Sequence, residues 1–214
     1  DERPPGVAEP AGPWVALEKI HGANFVVGVF GGVAGDRVFF GKRKAWLRDD
    51  EVFFGWQLLR HDIRAAARVI AGCVGADDDV YVYGELFGGG YPHRDVAAVV
   101  GVSPVQTGVW YCPDVRWAVF DVCVGGVFVG HDDVVAACAH AGVPTPPVLR
   151  RGTRSEVERH PVRFATRVPA LFGLPSLDDN VAEGFVAKPV AGGPPSSRAL
   201  RKPELREQLR QART

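Results

Sequence analysis

Residues 18 to 24 read Glu18-Lys19-Ile20-His21-Gly22-Ala23-Asn24, a polar group around one glycine, set between the apolar runs Trp14-Val15-Ala16-Leu17 and Phe25-Val26-Val27-Gly28-Val29-Phe30. Both runs read as strands, so the polar residues occupy the connection between them. Of 25 lysines and arginines only Lys19, Lys42, Lys44, Lys188 and Lys202 are lysines, so arginine is this chain's ordinary cation. A guanidinium stays charged, whereas an amine that sheds its proton attacks electrophiles. Lys19 is therefore the candidate nucleophile.

Three further segments offer the groups that such a nucleophile needs. Gly41-Lys42-Arg43-Lys44 is a compact basic turn, Tyr83-Gly84-Glu85-Leu86-Phe87-Gly88-Gly89-Gly90-Tyr91 carries a carboxylate into a glycine run, and Glu183-Gly184-Phe185-Val186-Ala187-Lys188-Pro189 opens on another carboxylate. The elements expected to position them are mostly strands. Residues 14–42 hold three strand-like runs, and further ones fall at Val80–Tyr83, Thr107–Tyr111, Trp117–Phe120, Val127–Val129 and within 183–189, rich in β-branched and aromatic residues. Leu59, Ile63, Ala66, Ala67 and Ile70 recur at three and four, which predicts a helix between Trp56 and Cys73. Asp132 or Asp133 is expected to cap a second helix through Cys138 that closes at Gly142. A long Pro- and Arg-rich connection is expected after it. Strands in twos and threes with few helices indicate an α+β domain.

Taken in order, the four segments resemble the covalent nucleotidyltransferases. Lys-x-His-Gly-x-Asn, in place of Lys-x-Asp-Gly, is similar to the RNA ligase 2-type branch of phage RNA-repair and kinetoplastid RNA-editing ligases. The resemblance spans about Trp14 to Glu207 and implies an adenylyltransferase fold, antiparallel sheets flanked by helices around a nucleotide pocket. It implies that Lys19 takes AMP from ATP as a lysyl phosphoramidate, with Mg2+ or Mn2+ as cofactor. It further implies that AMP passes to an RNA 5′-phosphate and that a 3′-hydroxyl displaces it to seal the strand, with RNA ends or a nicked duplex as partner. By the same resemblance Glu18, His21, Asn24, Arg43, Glu85, Phe120, Lys188 and Arg201 contact the nucleotide, Glu85 at the ribose and Phe120 stacked on adenine, while Glu183 holds the metal. One departure concerns the last motif. Aligned on Leu205 and Glu207, its two lysines become Ala199 and Arg201, and a shifted alignment recruits Arg201 and Lys202 or Arg198.

Composition narrows the classes. A formal net charge of zero argues against coating nucleic acid by bulk charge. Four scattered cysteines signal neither a disulfide framework nor zinc, and read as reduced core thiols. His131, His140 and His160 read as surface or loop residues. No apolar run suits a membrane span and no signal peptide is seen. An intracellular, cytoplasmic location is expected. Residues 1–13 read as an irregular lead-in and 14–214 as one adenylyltransferase domain without a separate C-terminal ligase domain. Two rival readings stay open: a catalytically weak nucleotide- or RNA-end-binding module with a degenerate last motif, and a relative that joins DNA or transfers guanylate.

Overall fold

The computed structural model describes residues 12–31, 37–75 and 78–193. In chain order come β1 (Trp14–Glu18), β2 (Ala23–Phe30), β3 (Arg37–Lys42), β4 (Ala45–Trp46) and the helix α1 (Arg60–Val74). They are followed by β5 (Val80–Gly90), β6 (Cys112–Val124), β7 (Val127–Phe128) and α2 (His131–His140). The last are β8 (Val148–Gly152), α3 (Arg154–Glu158) and β9 (Phe185–Pro189). Two antiparallel sheets result, a large one ordered β4-β3-β2-β5-β6-β7 and a small one ordered β8-β1-β9.

The large sheet alternates along β2 and the first half of β5 and is bulged in β6. Phe25, Val27 and Val29 of β2, with Val80, Val82 and Leu86 of β5, face a core closed by Ile63, Ala67 and Ile70 of α1 and by Val134, Ala137 and Cys138 of α2. The helical period read from Leu59 to Ile70 is thus the packed face of α1, which a single turn of tighter helix, Trp56–Leu59, precedes. The opposite sheet face carries Asn24 and Val26 of β2 beside Glu85 and Tyr83 of β5. Near the β1–β2 connection a second cluster, with Ile20, Phe87, Tyr111, Ala118 and Val168, packs on this second face. A third cluster, Trp14, Ala16, Val157, Phe185 and Ala187, seats α3 on the small sheet.

Several expectations change. Thr107–Tyr111 is not a strand: the Asn180 side chain accepts from Trp110 N at 2.9 Å and donates to Trp110 O at 2.6 Å, replacing a ladder partner. The connection after α2 contains β8, which pairs with β1 although its side chains are exposed or half-buried, so no alternation marks it in the sequence. α3 follows at once, begun by a Thr153–Glu156 capping box. α2 starts at His131 with Gly130 as its N-cap, so Asp132 and Asp133 lie inside the first turn, where their charge suits the helix dipole. His131 is buried rather than at the surface, and Cys73 is exposed while Cys112, Cys123 and Cys138 are buried. Among the described residues no helix is long and apolar enough to cross a membrane.

Candidate active site

β1 is the central strand of the small sheet and β2 an inner strand of the large one, so residues 19–22 form the step between sheets. Lys19 N donates to Gly184 O at 2.9 Å, which draws the start of β9 against this step. Glu183 is thereby brought to Lys19 from 164 residues away, and its Oε2 accepts from Lys19 Nζ. His21 Nδ1 lies 3.4 Å from the same oxygen. Burial pushes Glu183 up, but the His21 hydrogen bond and the Lys19 charge outweigh it and hold the carboxyl below its ordinary value.

Gly22 lets the step lie flat on β5. A Cβ there would sit 2.0 Å from Leu86 O and 2.9 Å from Glu85 Cγ. Burial raises Glu85 to about 7, and Glu183 adds to the rise, while Lys19, Gly22 and Arg43 oppose it. Asn24 stands opposite Glu85 in the β2–β5 register. Arg43 is exposed in the turn between β3 and β4, near enough for its charge to act on Glu85.

Phe120 occupies a bulge. Tyr83 pairs with Asp121 and Gly84 with Val119, so Phe120 has no partner across the ladder. Bulges re-aim side chains, and Phe120 is half-buried and belongs to none of the three core clusters, unlike its neighbour Val119. Lys188 Nζ donates to Phe120 O and to Asp121 Oδ1, each at 2.6 Å. This buried ammonium of the small sheet therefore fastens the bulge that displays Phe120. The Glu18 carboxylate accepts from Thr166 Oγ1 and from Arg167 N at 2.8 Å, and burial raises it to about 6. It is engaged with that segment, not with the Lys19–Glu183–His21 group. Arg201, with Ala199, Arg198 and Lys202, lies outside the described residues.

Two contributors escape the sequence reading. Tyr111 OH accepts from His21 N at 2.8 Å, which pins the step from beneath. Asn180 holds the Trp110 backbone beside it. The available signal was a tyrosine inside an apolar run, since a buried phenol needs a hydrogen-bond partner.

The donor set fits a divalent ion with phosphate. Glu183 and Glu85 are hard oxygen donors, and among the described residues no group of three or more His, Cys, Asp and Glu could form an all-protein cage. Mg2+ and similar ions keep water and phosphate oxygens as ligands and need only one or two carboxylates. His21 Nε2 is buried without a hydrogen-bond partner, a polar atom suited to a phosphate oxygen.

A carboxyl raised by burial binds protons that the unfolded chain has already released. The contribution of Glu85 to folding stability therefore falls as pH rises from 4.5 to about 7, its ordinary and folded values, with Glu18 acting in the same direction and buried His131, pushed down to about 4, acting against both. Glu85→Gln is expected to flatten this fall by about 1–3 kcal/mol. Urea midpoints measured at steps through the interval check it, and identical slopes in the two proteins would refute it.

The two sheets and their seam have the nucleotidyltransferase fold. A mutant Naegleria gruberi RNA ligase with ATP and Mn superposes with a TM-score of 0.61 at 14% identity, covering 91% of this chain and 51% of that one. An archaeal ATP-dependent RNA ligase gives 0.51 at 17% identity, covering 86% and 41%. At these identities the likeness shows the fold.

The chain belongs to the RNA ligase family, whose profile matches residues 12–202. It is similar to the mitochondrial RNA-editing ligases 2 and 1 of Trypanosoma brucei brucei, each 30% identical, covering 82% and 86% of this chain. It spans about half the length of these relatives, 48% and 46%.

Proposed function

We propose that residues 14–214 are the adenylyltransferase domain of an ATP-dependent RNA ligase. The observation that carries this reading is the convergence of Lys19, His21 and Glu183 where the small sheet steps onto the large one, with Glu85 packed against Gly22 of that step. Lys19 Nζ, once deprotonated, attacks the α-phosphorus of ATP. A P–N bond forms, the bond to the β-phosphate oxygen breaks, and pyrophosphate leaves. Phe120 stacks on adenine, Glu85 holds the ribose, and Asn24, opposite Glu85 in the register, serves the phosphate side. His21, Arg43 and the final-motif Arg201 face the phosphates, and Lys188 supports them by fixing the Phe120 bulge. Glu18 serves by holding the segment at Thr166. When bound, Mg2+ or Mn2+ held by Glu183 with phosphate oxygens supplies positive charge to the transferring group and competes with Lys19 for that carboxylate. AMP then passes to an RNA 5′-phosphate, and the 3′-hydroxyl displaces it as the strand, nicked or single, is sealed. Dependence on ATP and RNA supports an intracellular location, with the cytoplasm as the compartment expected from the sequence.

Incubation with ATP labelled at the α-phosphate and either metal, followed by denaturing electrophoresis, tests the reading. Label retained by the wild type and absent from Lys19→Ala is the expected result. No label on folded, AMP-free wild type would overturn it in favour of a nucleotide-binding module.

Gly22→Ala is expected to lower the rate of label transfer by about 100-fold, because the Cβ meets backbone at 2.0 Å and must displace the Lys19–His21 step. Misplacement of reacting groups by about 1 Å is enough for such a loss. Rates measured at saturating ATP would decide it, and a variant within a few-fold of the wild type would contradict the close fit.

A further inference from the structure

The face of the large sheet that carries Asn24 and Glu85 does not end at the nucleotide site. Tyr83 and Tyr81 continue it along β5, two and four residues before Glu85, and β-strand rise places Tyr83 about 7 Å from Glu85. Trp46, from the short strand β4, lies over two glycines: Cβ atoms at Gly28 and Gly41 would come within 2.9 and 3.0 Å of its ring. The Trp46 and Tyr81 rings are 6.4 Å apart and 28° from parallel, and Tyr81 and Tyr83 are 6.5 Å apart and 21° from parallel. Phe30 stands edge-on to both Trp46 and Tyr81. A groove of about 280 Å³ runs between Trp46, Tyr81, Tyr83 and Val26, with Lys42 and Lys44 on its rim. Trp46 is 46% exposed, and Lys44 is exposed as well.

Aligned aromatic faces beside flexible cations are what single-stranded nucleic acid requires, bases stacking on the rings while ammonium groups follow the backbone. An apolar protein segment would have no use for the lysine rim. We propose that this groove is a stacking platform for unpaired RNA bases next to the end being joined. The proposal rests on the ligase reading, since continuity with the Glu85 pocket is what orients the strand. Trp46 and Tyr81 receive the bases, and Lys44 receives a phosphate; Lys42 is paired with Glu51.

Fluorescence anisotropy with a labelled, unstructured oligouridylate over a range of salt concentrations tests it, with α-labelled ATP transfer run in parallel. Trp46→Ala and Tyr81→Ala are each expected to weaken RNA binding by about tenfold or more, with Trp46→Phe retaining most of the affinity. Lys44→Ala is expected to reduce the slope of log K against log salt by about 0.7. Adenylylation should be unchanged in all four. Absence of binding by the wild type, or unchanged affinity in both aromatic variants, overturns the platform. A change in sedimentation on Trp46→Ala with RNA affinity intact also overturns it, assigning the face to a second copy. Loss of RNA binding in the variants of a wild type that takes no label upholds the platform and removes the ligase reading instead.

Discussion

Lys19→Arg is expected to abolish label transfer from ATP, by on the order of 10³-fold or more, while leaving the fold intact. The substitution separates charge from nucleophilicity. A guanidinium at position 19 keeps a cation opposite Glu183, which accepts from Lys19 Nζ, so the electrostatics of the seam are largely preserved. It cannot present a neutral amine lone pair to phosphorus at any ordinary pH. Loss of a covalent nucleophile is among the most severe single changes an enzyme can suffer. The side chain is about one quarter exposed, so the longer arginine has space to adjust. Thermal unfolding of the variant should stay close to that of the wild type. Measurable lysine-independent labelling in Lys19→Arg would show that another residue carries AMP.

Asp121→Ala is expected to destabilise the protein by about 3–5 kcal/mol, because it strands a buried ammonium. The Lys188 and Asp121 side chains are 4% and 6% exposed, and they meet at 2.6 Å. Burial drives the Asp121 carboxyl upward and Lys188 opposes it, so neither group tolerates its site without the other. Asp121→Ala combined with Lys188→Met should recover much of the stability, since an apolar pair of similar volume removes both desolvation penalties. The same double variant should transfer label poorly. With Lys188 gone, Phe120 O loses its donor and the bulge that aims the ring is unfastened. Urea unfolding with label transfer separates the two effects. A double variant less stable than Asp121→Ala, or one as active as the wild type, would contradict this account of Lys188.

Much of the proposed chemistry rests on residue types over short spans. A lysine retained against an arginine bias, a glycine three residues later and carboxylates at 85 and 183 suggest it because nucleophile, close backbone approach and phosphate chemistry each demand a particular residue. α1 was legible because Leu59, Ile63, Ala66, Ala67 and Ile70 fall on one face at helical spacing. β8 was not, since an edge strand with outward-facing arginines is held by backbone bonds that leave no pattern in side chains. The segment at 107–111 misled for the converse reason: apolar β-branched and aromatic residues mark burial, and here burial is satisfied by the Asn180 clamp, not a ladder.

The sequence by itself determined the family and the candidate residues for its chemistry. Only the tertiary structure decided their assignments to one another. Glu183 reaches Lys19 across 164 residues because β9 pairs with β1, and Lys188 fastens Phe120 because the small sheet lies over the large one. Local propensity carries no record of such pairings; strand register and sheet packing create them, and the burial that results sets the protonation of Glu85 and holds the Lys188–Asp121 pair together.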